Sequence, residues 1–159
     1  MVPELAETLV PVHPDKDTAD QRTGRSLVSE DLFASLAHFV AVHDGQPQER
    51  AERIADQAVA FLATVSTATV PMVPSDDVDM GLHAFILHTK AYREFCQEHA
   101  GRFLDHNPAP GGGGRDPEMV KASAHAMKAA GFMVLDDLWT VNGQNAAQCD
   151  ADCGRPYGK

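Results

Sequence analysis

Asp79, His83, His88, Cys96, His99, Asp105 and His106 crowd into VDMGLHAFILHTKAYREFCQEHAGRFLDH. Four of the eight histidines and one of the three cysteines fall in this stretch. Imidazole, thiolate and carboxylate are the donors that zinc, iron and copper take up. The spacing selects among them. Asp79 and His83 are four residues apart, so on a helix they share one face. They suit two metal ligands, or a carboxylate that orients an imidazole. Asp79, His83, Cys96 and His106 form the candidate ligand set, with zinc expected first and iron or copper as competitors. His88, His99 and Tyr92 are alternative ligands or proton shuttles, since an imidazole titrates near neutral pH. The step from His83 to His88 is HAFILH, which lacks the glutamate of HExxH, and CQEH is a CxxH half-motif without a second half.

Each residue also has a plainer reading. Asp79 and His83 can be a hydrogen-bonded surface pair, and His88 and His99 can face solvent. Cys96 can be a small core residue. Tyr92 can pack beside the apolar stripe, and His106 before Asn107–Pro108 can cap a helix end.

The elements that must position these groups read as helices. Ser29 caps a first helix whose Leu32, Phe33, Leu36, Phe39 and Val40 make one apolar stripe, and Gly45 stops it. Pro47 opens a second, with Ile54, Ala58, Phe61, Leu62 and Val65 in the same period, ended by Pro71 and Pro74. Ser75 caps a third that is expected to run to about His99, with Gly101 as its stop. On that single helix His88, Tyr92, Cys96 and His99 fall on the flank opposite Asp79 and His83, so His83 and His99 cannot share an ion. His106, in the turn beyond, is free to fold back. Asp116–Pro117 opens a fourth helix, capped by Gly131, and FMVLDDLW reads as a short strand or final turn packing Trp139 on the core.

The expected fold is therefore all-α, a small bundle of about four helices. Its domain spans 26–142, between an irregular arm over 1–25 and a flexible tail over 143–159. The run Gly111–Gly114 reads as a flexible connection, because no strand precedes it and no GK[ST] follows it. Cys149 and Cys153 read as free thiols in the tail.

Composition narrows the function classes. The 159 residues carry 13 Lys+Arg against 23 Asp+Glu, a net charge of −10. An acidic chain lacks the basic face that nucleic acid or an anionic membrane requires, so neither is an expected partner. Apolar runs such as Phe132 to Leu135 are far below the ~20 residues of a membrane span. The first residues show no basic segment followed by an apolar one, so a cytoplasmic location is expected.

The segment from Ser75 to Pro108, with its VDMGLHAFILHTKAYREFC and GRFLDHNP, resembles the glycine-rich-domain-containing family in its short bacterial form. AMKAAGFMVLDDLW extends the likeness through a helix and an LW turn. Two positions depart from the pattern: Leu82 stands where the family carries Trp, and Asp105 where it often carries a first of two histidines. The resemblance implies that residues 79, 83, 96 and 106 act as a unit, and it assigns them no reaction.

Three functions stand from sequence. The first is a small metal-binding protein, structural or catalytic. The second is a metal-free accessory or interaction module with a groove along the third helix, whose acidic surface selects a basic partner, with both a small molecule and a protein open. The third is an enzyme with Cys96 as nucleophile, activated by His99 or His88, which requires an exposed thiolate.

Overall fold

A computed structural model describes residues 21–106 and 115–141. Among the described residues the chain forms five α-helices and is all-α. They are α1 (Glu30–His43), α2 (Gln48–Thr67), α3 (Asp76–Leu87), α4 (Thr89–Ala100) and α5 (Pro117–Ala129). Single 3-10 turns lie at Arg25–Leu27 and Asp136–Leu138. None of the described helices is long and apolar enough to cross a membrane.

Local chemistry sets the starts. Ser29 and Ser75 accept from the backbone N–H groups of Leu32 and Val78, and Asp116 accepts from Glu118, with Pro117 in the first turn. These oxygens satisfy amides that have no partner inside the helix. Pro47 sits one position before α2. The end of α4 needs Gly101, whose φ of +67° lies in the left-handed region that favours glycine.

Helix α2 is the axis of the molecule. Its Ala51, Ile54, Ala55, Ala58, Val59, Ala60, Phe61 and Leu62 are all buried. Alanines along this helix let its neighbours approach closely. At the tightest approach a Cβ on Gly81 of α3 would lie 2.7 Å from the Ala58 Cβ and 2.8 Å from the Ile54 carbonyl oxygen. Leu36, Val40, Val78, Leu82, Phe85, Tyr92, Phe95 and Met127 close the core from the other helices.

The fold departs from the expected four helices at one point. The third does not run on to His99. It breaks at His88, whose backbone (φ −81°, ψ 64°) leaves the helical region. There the His88 ring Nδ1 lies 2.7 Å from the Ala84 carbonyl oxygen, which the His88 N–H also approaches at 3.3 Å. A side chain that competes for its own helix's carbonyl is a recognised way to end it. Helix α4 then starts afresh, with Tyr92 N–H bonded to the His88 carbonyl. Residues 79–87 and 89–99 are thus on two helices, and the single-helix wheel does not apply across them.

FMVLDDLW contains the 3-10 turn Asp136–Leu138 and a lone parallel bridge between Phe132 and Arg22. Trp139 packs on the core as expected, 6.1 Å from the Phe61 ring. Arg22 exchanges backbone hydrogen bonds with Gly131 and Met133, which ties the chain ahead of α1 to the segment after α5. Residues 1–20, the Gly111–Gly114 run, and Cys149 and Cys153 lie outside the described residues.

Candidate metal centre

Asp79 and His83 stand one turn apart on α3, as the four-residue step requires. His83 Nε2 lies 3.2 Å from Asp79 Oδ2. His106 arrives from the segment after α4, and its Nε2 lies 2.9 Å from His83 Nε2. Ligand atoms from Asp79, His83 and His106 all fall within 4.8 Å of one another. Asp79 is buried, His106 half-buried, and the His83 side chain is 47% exposed, so one side of the cluster opens to solvent.

Two devices bring His106 there. Gly101 turns the chain off α4 in its left-handed cap. Tyr92 then donates its hydroxyl proton to the Leu104 carbonyl at 2.6 Å, and Leu104 itself is buried. That bond fixes the backbone two residues before His106. Tyr92 is almost wholly buried and packs edge-on against Phe85 and Phe103. Its role here is to hold the approach of His106.

Asp79 is held from its other side. Arg115, with a side chain only 3% exposed, donates from Nη2 to Asp79 Oδ2 at 3.0 Å. Its Nε donates to Asp76 Oδ1 at 3.0 Å and its Nη1 to the Pro74 carbonyl at 2.6 Å. The sequence reading missed Arg115 because it lies in a loop, more than thirty positions from both aspartates. The available signal was Asp76 and Asp79 at an i, i+3 step, an acidic face able to receive a fork-shaped cation.

The electrostatics favour a neutral His106. Burial pushes its pKa below the ordinary 6.5, and the neighbouring His83 and Arg115 charges push the same way, while Asp79 opposes them. Burial raises the Asp44 carboxyl at the end of α1, with Asp79 adding to the rise and His43 and His83 countering it. A small pocket of about 30 Å³ is lined by His106 and Asp105 together with the apolar Leu82 and Leu104 and the Tyr92 ring.

The other expected site residues sit elsewhere. Cys96 is fully buried in the core as a free thiol, and it is not one of the residues whose ligand atoms converge. The break at His88 puts Cys96 on α4 and turns it inward beside Phe95. A thiol without solvent access cannot attack a substrate, so the geometry does not carry a Cys96 nucleophile. Both His88 ring nitrogens are engaged, Nδ1 with the Ala84 carbonyl and Nε2 with Ser35 Oγ at 2.7 Å. His99 packs at a tilt against Phe95, 4.1 Å between centroids, and its buried Nε2 has no hydrogen-bond partner among the described residues. Neither joins the converging group.

Residues 29–113, more than half of the chain, match the family model described as UCP032817-like. The chain belongs to the UCP032817-like family. The matched segment runs from the cap of α1 through Asp79, His83 and His106, so the three converging donors fall inside it, and Arg115 falls just beyond it. No curated protein and no solved structure matches the chain.

Proposed function

We propose that this member of the family is a metal-binding protein in which Asp79, His83 and His106 hold one transition-metal ion. The observation that carries the reading is the convergence of three electron-rich atoms. His83 Nε2 faces both Asp79 Oδ2, at 3.2 Å, and His106 Nε2, at 2.9 Å. Atoms of these types at such separations share either a proton or a cation, and the reading assigns the cation. An ion bonded at ~2.0–2.2 Å to each donor sets neighbouring donors roughly 3 Å apart. The lowered pKa of His106 keeps it in the neutral form that a metal takes.

Two histidines and one carboxylate are a set shared by catalytic zinc sites and by ferrous iron sites with open positions. Zinc is our first assignment, with iron or copper as competitors. Three protein donors leave at least one position for water or substrate, and the solvent-facing side at His83 gives access to it. This favours a catalytic over a purely structural ion. The resemblance to the glycine-rich-domain-containing family points to the same residues, apart from Cys96. Elemental analysis of untagged protein tests the proposal. About one metal per chain is expected, with His83→Ala and His106→Ala both losing it. Absence of metal after reconstitution with zinc, ferrous iron and copper would overturn it.

A second reading, a binding module for a basic partner, draws on a different place. An open groove of about 340 Å³ is lined by the apolar Phe33, Met133 and Leu135, and its three carboxylates, Glu49, Glu52 and Asp56, outnumber its two arginines, Arg25 and Arg53. Binding of a basic peptide there, undiminished by chelator and weakened by Glu49→Lys, is the outcome that favours it.

A further inference from the structure

We infer that Arg115 is a positioning residue for this metal centre, fixing the ligating oxygen of Asp79 and tying metal affinity to the anchoring of α5. The inference rests on the metal reading above and goes beyond its three ligands. Arg115 is nearly inaccessible, and its guanidinium makes three directed hydrogen bonds, to Asp76, Asp79 and the Pro74 carbonyl. The bond to Asp79 falls on Oδ2, the same oxygen that faces His83. One oxygen therefore accepts from the arginine and also faces the His83 ring. The bonds from Nε to Asp76 and from Nη1 to the Pro74 carbonyl lock the planar guanidinium, so the single bond from Nη2 to Asp79 has a fixed direction that an ammonium point charge does not give.

A cation beside a metal ligand also repels the incoming ion, and the sign of the net effect needs deciding. Asp76 decides it. Its carboxylate, 3.0 Å from Arg115 Nε, neutralises the guanidinium, so the orientation survives while most of the repulsion is cancelled. The argument also links α5 to the site. Arg115 immediately precedes Asp116, the residue that caps α5, so the helix cannot leave its place without pulling the fork from Asp79.

The test uses the full chain and cobalt(II), whose visible bands report coordination geometry, together with zinc competition for affinity. Wild-type protein is expected to bind one cobalt with intense bands that His83→Ala abolishes. Arg115→Gln is expected to weaken binding by about 10–100-fold and to shift the bands, as removal of such supporting bonds commonly does. Arg115→Lys should recover part of the affinity. Asp76→Asn, which leaves the guanidinium charge uncompensated, should weaken binding by up to about tenfold. A folded Arg115→Gln with wild-type affinity and spectrum overturns the inference while the metal reading stands. If Arg115→Gln does not fold, as judged by circular dichroism, Arg115→Lys and Asp76→Asn decide, and wild-type behaviour of both overturns it. Failure of wild-type protein to bind cobalt overturns this inference, and failure to take up zinc, ferrous iron and copper as well overturns the metal reading.

Discussion

Gln57 on α2 and Asp79 on α3 are both polar side chains in the interior, yet their surroundings differ in kind. Gln57 is fully buried. Its Nε2 donates to the Met133 carbonyl at 2.9 Å and to Asp56 Oδ2 at 3.1 Å. Its Oε1 accepts from Leu135 N–H at 3.0 Å and from Trp139 Nε1 at 2.8 Å. An amide has two donors and two acceptor sites, and all four are used. Around Asp79 the groups are charged or titratable and lie beside an open edge. Asp79 Oδ2 accepts from Arg115 Nη2 at 3.0 Å, and the ring nitrogens of His83 and His106 lie 2.9 Å apart. The first cluster closes on itself and holds the segment 133–139 to α2. The second brings three possible ligand atoms together at a solvent-facing edge, the arrangement on which the metal proposal rests.

The comparison can be broken from either end. The largest effect is expected for Gln57→Ala. It strands the buried Trp139 indole N–H, at ~1–3 kcal/mol, and removes the partners of the half-buried Leu135 amide and Met133 carbonyl while leaving a cavity. A loss of about 4 kcal/mol in urea denaturation should result, with metal stoichiometry unchanged in the protein that remains folded. A loss below about 1 kcal/mol would show that the cluster is not a structural clamp.

Next comes His83→Ala. Because its side chain is half-exposed, the metal-free protein should lose under about 1 kcal/mol. Zinc affinity should nonetheless fall by at least a hundredfold, or about 2.7 kcal/mol. Equal losses in stability and in affinity would erase the distinction between the two clusters.

A third test uses pH on the metal-free protein. The folded pKa of His106 lies below the 6.5 of the unfolded chain. As pH falls through 6.5 the unfolded state takes up a proton that the folded state refuses, so stability drops until the folded pKa is reached. The contribution is fully present above 6.5. Replacing His106 with Asn should flatten that slope, and a wild-type slope in the variant would contradict it. Gln57 has no titratable group and should add nothing to this window.

The smallest effect is expected at the surface pair of Arg53 and Asp137, 2.5 Å apart beside the Gln57-held segment. Arg53 holds the Asp137 carboxyl below its usual range, so any stabilisation is present above that range and lost as pH falls through the lowered value. Both partners are largely exposed, and Asp137→Asn should change stability by less than about 0.5 kcal/mol. A change above 1 kcal/mol would mean that the clamp depends on the pair.

Much of this was legible in the chain. The caps Ser29, Ser75 and Asp116 start helices where their residue types said they would, because capping is a bond between neighbours in sequence. The stripe of Phe33, Leu36 and Val40 is buried, and Asp79 and His83 meet because both sit on one helical turn. The break at His88 was not legible, because nothing in Leu87–His88–Thr89 marks a stop in the way that Gly or Pro does. His88 ends α3 through a ring turned back onto Ala84 and braced by Ser35, 53 positions earlier. Cys96 followed from that break: once α4 is a separate helix, the face it shares with Tyr92 is turned into the core.

The sequence by itself determined which segments are helical, which faces are apolar, and that Asp79 and His83 form a pair. These depend on hydrogen bonds and side-chain periods spanning four residues or fewer. Only the tertiary structure decided that His106 and not Cys96 joins the pair, and that Arg115 stands behind it. His106 is 23 positions from His83, and Arg115 is 36 from Asp79. Whether such residues meet depends on where α4 breaks away and on a tyrosine hydroxyl that pins Leu104. No local period encodes those contacts, because they arise only after the helices have packed on α2.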